Sequence, residues 1–263
     1  MNRRRCAAPP ITVLSGPVTK PEIIISRDAG ELAHKAAEQF VALTGAATAR
    51  FGRFAVALSG GSTPLALYEL LGSTEYRDRI DWPRIHLFWG DERCVPPDHA
   101  ESNFRMVRES LISKIQIPAE NIHRMEGEKE PRAAADAYEQ ELHEFFAPAP
   151  GQMPRFDLIL LGVGEDGHTA SLFPGSVALG ETKRWVTAVY VEKLQFHRLT
   201  LTLPVINNAA QVTFLVIGSG KADIVWRILR RSEAAELPAA QVCPADGSLT
   251  WLITEDAVAG SID

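Results

Sequence analysis

Cysteine is scarce in this chain, and what there is cannot pair. Cys6, Cys94 and Cys243 are odd in number and widely separated, with no CxxC spacing. That excludes a disulfide framework and points to a reducing, cytoplasmic setting. Long apolar runs are also missing; none approaches the ~20 residues of a membrane helix. Arg3-Arg4-Arg5 imitates the basic start of a secretory signal, but Cys6-Ala7-Ala8-Pro9-Pro10 follows where an apolar segment belongs. No signal is expected, and residues 1–20 are expected to be a flexible extension. Basic charge is not in excess either. Lys and Arg number 27 against 33 Asp and Glu, a net charge of −6, so no bulk attraction to nucleic acid or an anionic membrane surface is expected. Cations must therefore act locally.

With 46% hydrophobic and 23% charged residues, the composition is that of a globular protein. Strand-like and helix-like segments alternate along it. Residues 22–25, 54–58, 84–89, 156–161, 185–191, 211–217 and 249–253 read as strands. Helical spacing runs over residues 31–43, from Pro64, over 102–113 and 131–146, and after Lys221. Thr63 as N-cap and Pro64 at the first helical position make a favourable helix start. There is no internal repeat, low-complexity tract or separating linker. The expected fold is α/β, a single Rossmann-like, three-layer domain over residues 21–263 with a mostly parallel sheet flanked by helices.

The chemistry collects where strands end. Phe156 to Leu161 is an apolar run that stops at Gly162-Val163-Gly164-Glu165-Asp166-Gly167-His168. A buried parallel strand thus delivers an acid and a histidine to one edge of a sheet, a base with its own orienting partner. The segment also spells G-x-G-x-x-G. Its two acids would repel a pyrophosphate and Pro174 interrupts any following helix, so a dinucleotide site is not expected.

Ser59-Gly60-Gly61-Ser62-Thr63 joins a strand to a helix, a setting for either a tight turn or an anion held by free N–H groups. The lysine-bearing end of a Walker loop is absent, and Ser62 does not fit a nucleophile elbow. Gly218-Ser219-Gly220-Lys221 repeats the design with a cation in the first helical turn, where only a nearby anion makes it favourable. Two such turns suggest a phosphorylated small molecule. His86, Asp91, Glu92, Cys94 and His99 lack metal-ligand spacing, so no metal is expected. His34, His123, His143 and His197 carry no motif and are expected at the surface or in an interface.

Four segments taken together resemble the glucosamine-6-phosphate isomerase/6-phosphogluconolactonase family. They are Leu58 to Pro64, Trp89-Gly90-Asp91-Glu92-Arg93, Ser102-Asn103-Phe104, and Gly162 to Pro174; Arg198 to Pro204 and Gly218 to Ala222 extend the likeness. The resemblance implies hydrolysis of a sugar-phosphate lactone, 6-phospho-D-glucono-1,5-lactone, without metal or other cofactor. It implies His168 as the base that activates water, with Asp166 beside it. It further implies Gly60, Gly61, Ser62, Thr63 and Lys221 as phosphate ligands, and Asp91, Arg93 and Arg198 as substrate-binding groups. The isomerase/deaminase branch carries an Asn-Glu-Pro pattern after its Gly-His. Here Ser171-Leu172-Phe173-Pro174 stands in that place, and Gly90-Asp91-Glu92-Arg93 replaces its Met-Asp-Glu-Tyr, which favours the lactonase. A non-catalytic sugar-phosphate sensor would not need the Asp166/His168 pair. The chain is expected to act as a monomer or small homo-oligomer.

Overall fold

The computed structural model describes residues 20–192, 195–230 and 236–258. The expectation for residues 1–20 falls outside them, except for Lys20. In chain order the strands are β1 (Glu22–Ser26), β2 (Phe54–Leu58), β3 (Ile85–Trp89), β4 (Asp91–Arg93), β5 (Ile122–His123), β6 (Leu158–Leu161), β7 (Val186–Val191), β8 (Phe196–Leu201), β9 (Gln211–Val216) and β10 (Ser248–Thr254). The helices are α1 (Ala29–Phe51), α2 (Ser62–Leu71), α3 (Asn103–Ser110), α4 (Pro131–Phe146), α5 (Leu203–Ile206) and α6 (Ala222–Leu229).

Seven strands form one wholly parallel sheet in the order β1-β10-β9-β6-β2-β3-β5. Every residue of β2, β6 and β9 is buried. Covering both faces of a parallel sheet demands such unbroken apolar strands, and this is why their sequences do not alternate. Helix α1 begins where the Asp28 carboxylate accepts from Glu31 N at 2.8 Å. It outruns its expected span because Thr44 and Ala47 continue the buried stripe, and it ends at Gly52, φ 78°. Helix α4 starts as expected at Pro131, with the Glu130 carboxylate accepting from Arg132 N and Ala133 N. Among the described residues no helix is long and apolar enough to cross a membrane.

Three expectations need correction. First, a strand follows β3 at a place where none is expected. Residues 91–93 are β4, which pairs antiparallel with β8, and β8 with β7, in a second sheet. The strand expected near 185–191 therefore belongs outside the central sheet. Gly90 joins the two sheets, donating N–H to Leu58 O and accepting from Leu201 N, each at 2.8 Å. Second, the N-cap of α2 is Gly61, at φ 103°, and Thr63 lies inside the first turn. Only a glycine adopts that backbone readily, which lets the helix start earlier than the Thr-Pro signal suggests.

Third, His123 is only 8% exposed. Its ring stacks on Phe88 at 4.1 Å, its Nδ1 lies 2.7 Å from Glu141 Oε1, and its Nε2 lies 3.1 Å from His86 Nδ1. With both nitrogens partnered, a histidine can be buried without an orphaned polar atom. Burial, then the neighbouring His123 and Arg53, depress the His86 pKa to about 4. The unfolded chain binds a proton at this histidine from its ordinary pKa of ~6.5 downward, whereas the fold resists until about 4. Stability is therefore expected to decline as pH falls through that window. Urea unfolding between pH 7 and 4 should show the decline, and His86→Asn should flatten part of it.

Candidate active site

The strand order reverses beside β2. From β2 the chain moves outward to β3 and β5, then returns to lay β6 on the other side of β2. The loops leaving β2 and β6 diverge at that point, opening a crevice at the carboxyl ends of the strands. The neighbouring strands β9 and β3 send their own loops to the same place. A cleft of about 270 Å³ results. Gly60, Gly61, Ser62, Thr63, Asp91, Arg93, His168, Arg198 and Lys221 all line it. Asp166, the remaining expected site residue, stands behind His168.

After β6 the chain folds back on itself. Gly164 N donates to His168 O at 2.9 Å and Gly167 N to Gly164 O at 3.0 Å, while Thr169 Oγ1 donates to Gly162 O at 2.9 Å. No α-helix follows before β7, only a short 3₁₀ turn at Val177–Gly180, so the dinucleotide fingerprint has no structural counterpart. The Asp166 Oδ1 lies 2.5 Å from His168 Nδ1 and 3.2 Å from His168 N. A carboxylate at Nδ1 selects the tautomer with its proton there, leaving the Nε2 lone pair for the cleft. Phe173 stacks on the imidazole at 4.4 Å. Gly164 makes room for both groups, since a Cβ there would lie 2.0 Å from His168 Nδ1 and 2.8 Å from Asp166 Oδ1.

The opposite wall is built for an anion. No side chain caps α2, so its first N–H groups remain open beside Ser62 and Thr63. Tyr68 anchors the turn from beneath, its hydroxyl accepting from Ser59 N at 3.0 Å and donating to Ser59 O at 2.9 Å. Lys221 closes a short 3₁₀ turn, Ser219–Lys221, and precedes α6 instead of lying in its first turn. Arg93 and Arg198 are direct cross-strand partners in β4 and β8. Like charges so placed are destabilising. Both also carry a buried Nε without a hydrogen-bond partner. Burial, opposed by Asp91 and reinforced by Arg93, lowers the Arg198 pKa. The cleft holds Arg93, Arg198 and Lys221 against one lining carboxylate, Asp91. It is thus locally positive on a chain of net charge −6, a field that concentrates anions there.

Residues that motif reading left without a role complete the frame. Buried Glu92 accepts from Arg93 N, Asn103 N and Phe104 N at 2.7 to 2.8 Å, and from Ser102 Oγ at 3.1 Å. Its burial raises the carboxyl pKa against the pull of those donors. The carboxylate therefore ties β4 to the start of α3 and delivers Asn103 to the cleft. Asn103 Nδ2 donates to Asp91 O at 2.9 Å. Its side chain fills the space over Gly60, where a Cβ would lie 1.9 Å from Oδ1. Ala170 lines the cleft in the left-handed region at φ 47°, a strain of about 1–2 kcal/mol for an L-residue. Ser102-Asn103-Phe104 belongs to the family likeness, but nothing in its local pattern indicates this contact. Among the described residues no group of three or more His, Cys, Asp or Glu side chains could hold a metal ion.

Residues 27–251 match the family model described as glucosamine-6-phosphate isomerases/6-phosphogluconolactonase. A 6-phosphogluconolactonase of Synechocystis sp. is 44% identical over 213 residues, covering 80% of this chain and 86% of the relative. The enzyme of the same name from Nostoc sp. is 42% identical over 211 residues, covering 80% and 85%. The solved structure of 6-phosphogluconolactonase from Trypanosoma cruzi superposes with a TM-score of 0.82 at 29% identity, covering 93% of this chain and 98% of that one. The match spans all four loops that meet at the cleft, and on it this chain belongs to the glucosamine-6-phosphate isomerase/6-phosphogluconolactonase family.

Proposed function

We propose that this chain hydrolyses 6-phospho-D-glucono-1,5-lactone to 6-phosphogluconate, a step of the oxidative pentose phosphate pathway, with His168 as general base. The observation that carries the reading is the imidazole itself, oriented by Asp166 and set across a small cleft from three cations. A lactone is an activated ester, so one positioned water and one base suffice. His168 Nε2 takes a proton as the water oxygen bonds to C1, and Asp166 stabilises the resulting imidazolium. The C1 oxygen bears negative charge in the tetrahedral intermediate, where N–H groups of the glycine turns or a cleft cation stabilise it. The bond from C1 to the ring oxygen then breaks, and the imidazolium returns its proton to that oxygen. Gly60, Gly61, Ser62, Thr63 and Lys221 hold the phosphate, whose binding energy orients the ring. Asp91 and Arg93 contact the remainder of the substrate, and Arg198 is a substrate-binding cation that meets the phosphate or the ring beside it.

Freshly prepared lactone, followed by acid release against the spontaneous rate, tests this directly. Hydrolysis well above that background is the expected result, and its absence would remove the assignment. Glucosamine 6-phosphate should release no ammonia, because the segment from Ser171 to Pro174 contains no acid.

A further inference from the structure

Asp91 faces Arg198, yet the two do not close into a hydrogen-bonded ion pair. Arg198 Nη1 stands 3.9 Å from Asp91 Oδ2. That same oxygen accepts from Ser171 Oγ at 2.6 Å. Ser171 is wholly buried, and Asp91 and Arg198 are 5% and 8% exposed. A carboxylate and guanidinium so buried would otherwise be drawn together to about 2.7–2.9 Å. We propose that Ser171 is a positioning residue whose hydroxyl holds the Asp91 carboxylate back from Arg198, leaving the guanidinium's donors for the anionic substrate. The inference rests on the lactonase reading.

The serine is itself firmly placed. Its N–H donates to Thr200 Oγ1 at 3.2 Å, on the strand that carries Arg198. Left-handed Ala170 turns the chain from His168 so that residue 171 points back to β4. On its other side Asp91 Oδ1 lies 3.4 Å from Asn103 Nδ2. The carboxylate is thereby fixed between a serine and an asparagine, both neutral. Arg198 meanwhile retains a buried, unpartnered Nε and faces Arg93 across the strand pair. The like charge opposite is left unrelieved within the protein, and an anion arriving in the cleft that Arg93 and Arg198 line would offset it. A closed pair with Asp91 would remove that demand.

Without the hydroxyl, Asp91 should swing onto Arg198 and compete with substrate. Ser171→Ala is expected to raise KM for the lactone roughly 10- to 100-fold, the size of one charge-assisted hydrogen bond, with kcat within a few-fold. In an Asp91→Asn background no ion pair can form, so adding Ser171→Ala should raise KM no further. An unchanged KM, a fall confined to kcat, or equal KM increases in both backgrounds would overturn the positioning role. Circular dichroism establishes folding. Should Ser171→Ala not fold, Ser171→Cys keeps the volume with a weaker donor and should raise KM less but in the same direction; wild-type KM there is equally contrary. Wild-type protein in the same assay separates the two readings. If it fails to hydrolyse the lactone, the function is wrong. If it turns over while Ser171→Ala keeps its KM, only the serine's role is wrong.

Discussion

Replacing His168 by alanine is expected to lower kcat/KM by about 10²- to 10⁴-fold, the usual contribution of a positioned base. The protein should remain folded. The loop is closed by backbone bonds from Gly164 and Gly167 and by the Thr169 hydroxyl, none of which involves the imidazole. The His168 side chain is 28% exposed, and what packing it loses is its stack on Phe173, about 1 kcal/mol. Steady-state kinetics, with thermal unfolding as the control, decide the matter. Near-normal turnover by a folded His168→Ala protein would show that another group activates the water.

The second large effect is expected from a single methyl group. Gly164→Ala should reduce kcat by on the order of 10²-fold, the cost of misplacing a reacting group by about 1 Å. The added carbon would sit 2.0 Å from His168 Nδ1 and 2.1 Å from its Cε1, so the ring must leave its place. Gly164 is not among the residues of positive φ, so alanine meets the backbone conformation without strain and the fault is confined to the imidazole and Asp166. KM should change little, because the anion wall at α2 and Lys221 is untouched. Since both substitutions act through one ring, the double variant with His168→Ala should be no worse than His168→Ala alone. Full kcat in Gly164→Ala, or losses that multiply in the double variant, would contradict this.

Much of the framework was legible in the sequence because buried parallel strands announce themselves as short apolar runs between glycines. β2, β3, β6, β9 and β10 fall where those runs lie, and α4 starts at Pro131 as its proline and acidic cap require. β4 was hidden because Asp91-Glu92-Arg93 is charged throughout, and its pairing with β8 spans about a hundred residues of chain. His123 was misjudged for a similar reason, its stack on Phe88 and its Glu141 and His86 partners being invisible to local pattern.

By itself the sequence determined the α/β class, the family resemblance and the acid–histidine turn at the end of β6, all of which rest on local order along the chain. Tertiary structure decided what that turn works with. Only the reversal of strand order beside β2 brings Ser62, Arg93, His168 and Lys221 to one 270 Å³ cleft. Only the β4–β8 pairing sets Arg93 against Arg198, and only the return of the chain at Ala170 puts Ser171 on Asp91. Those arrangements depend on contacts between residues far apart in sequence, where no spacing rule operates.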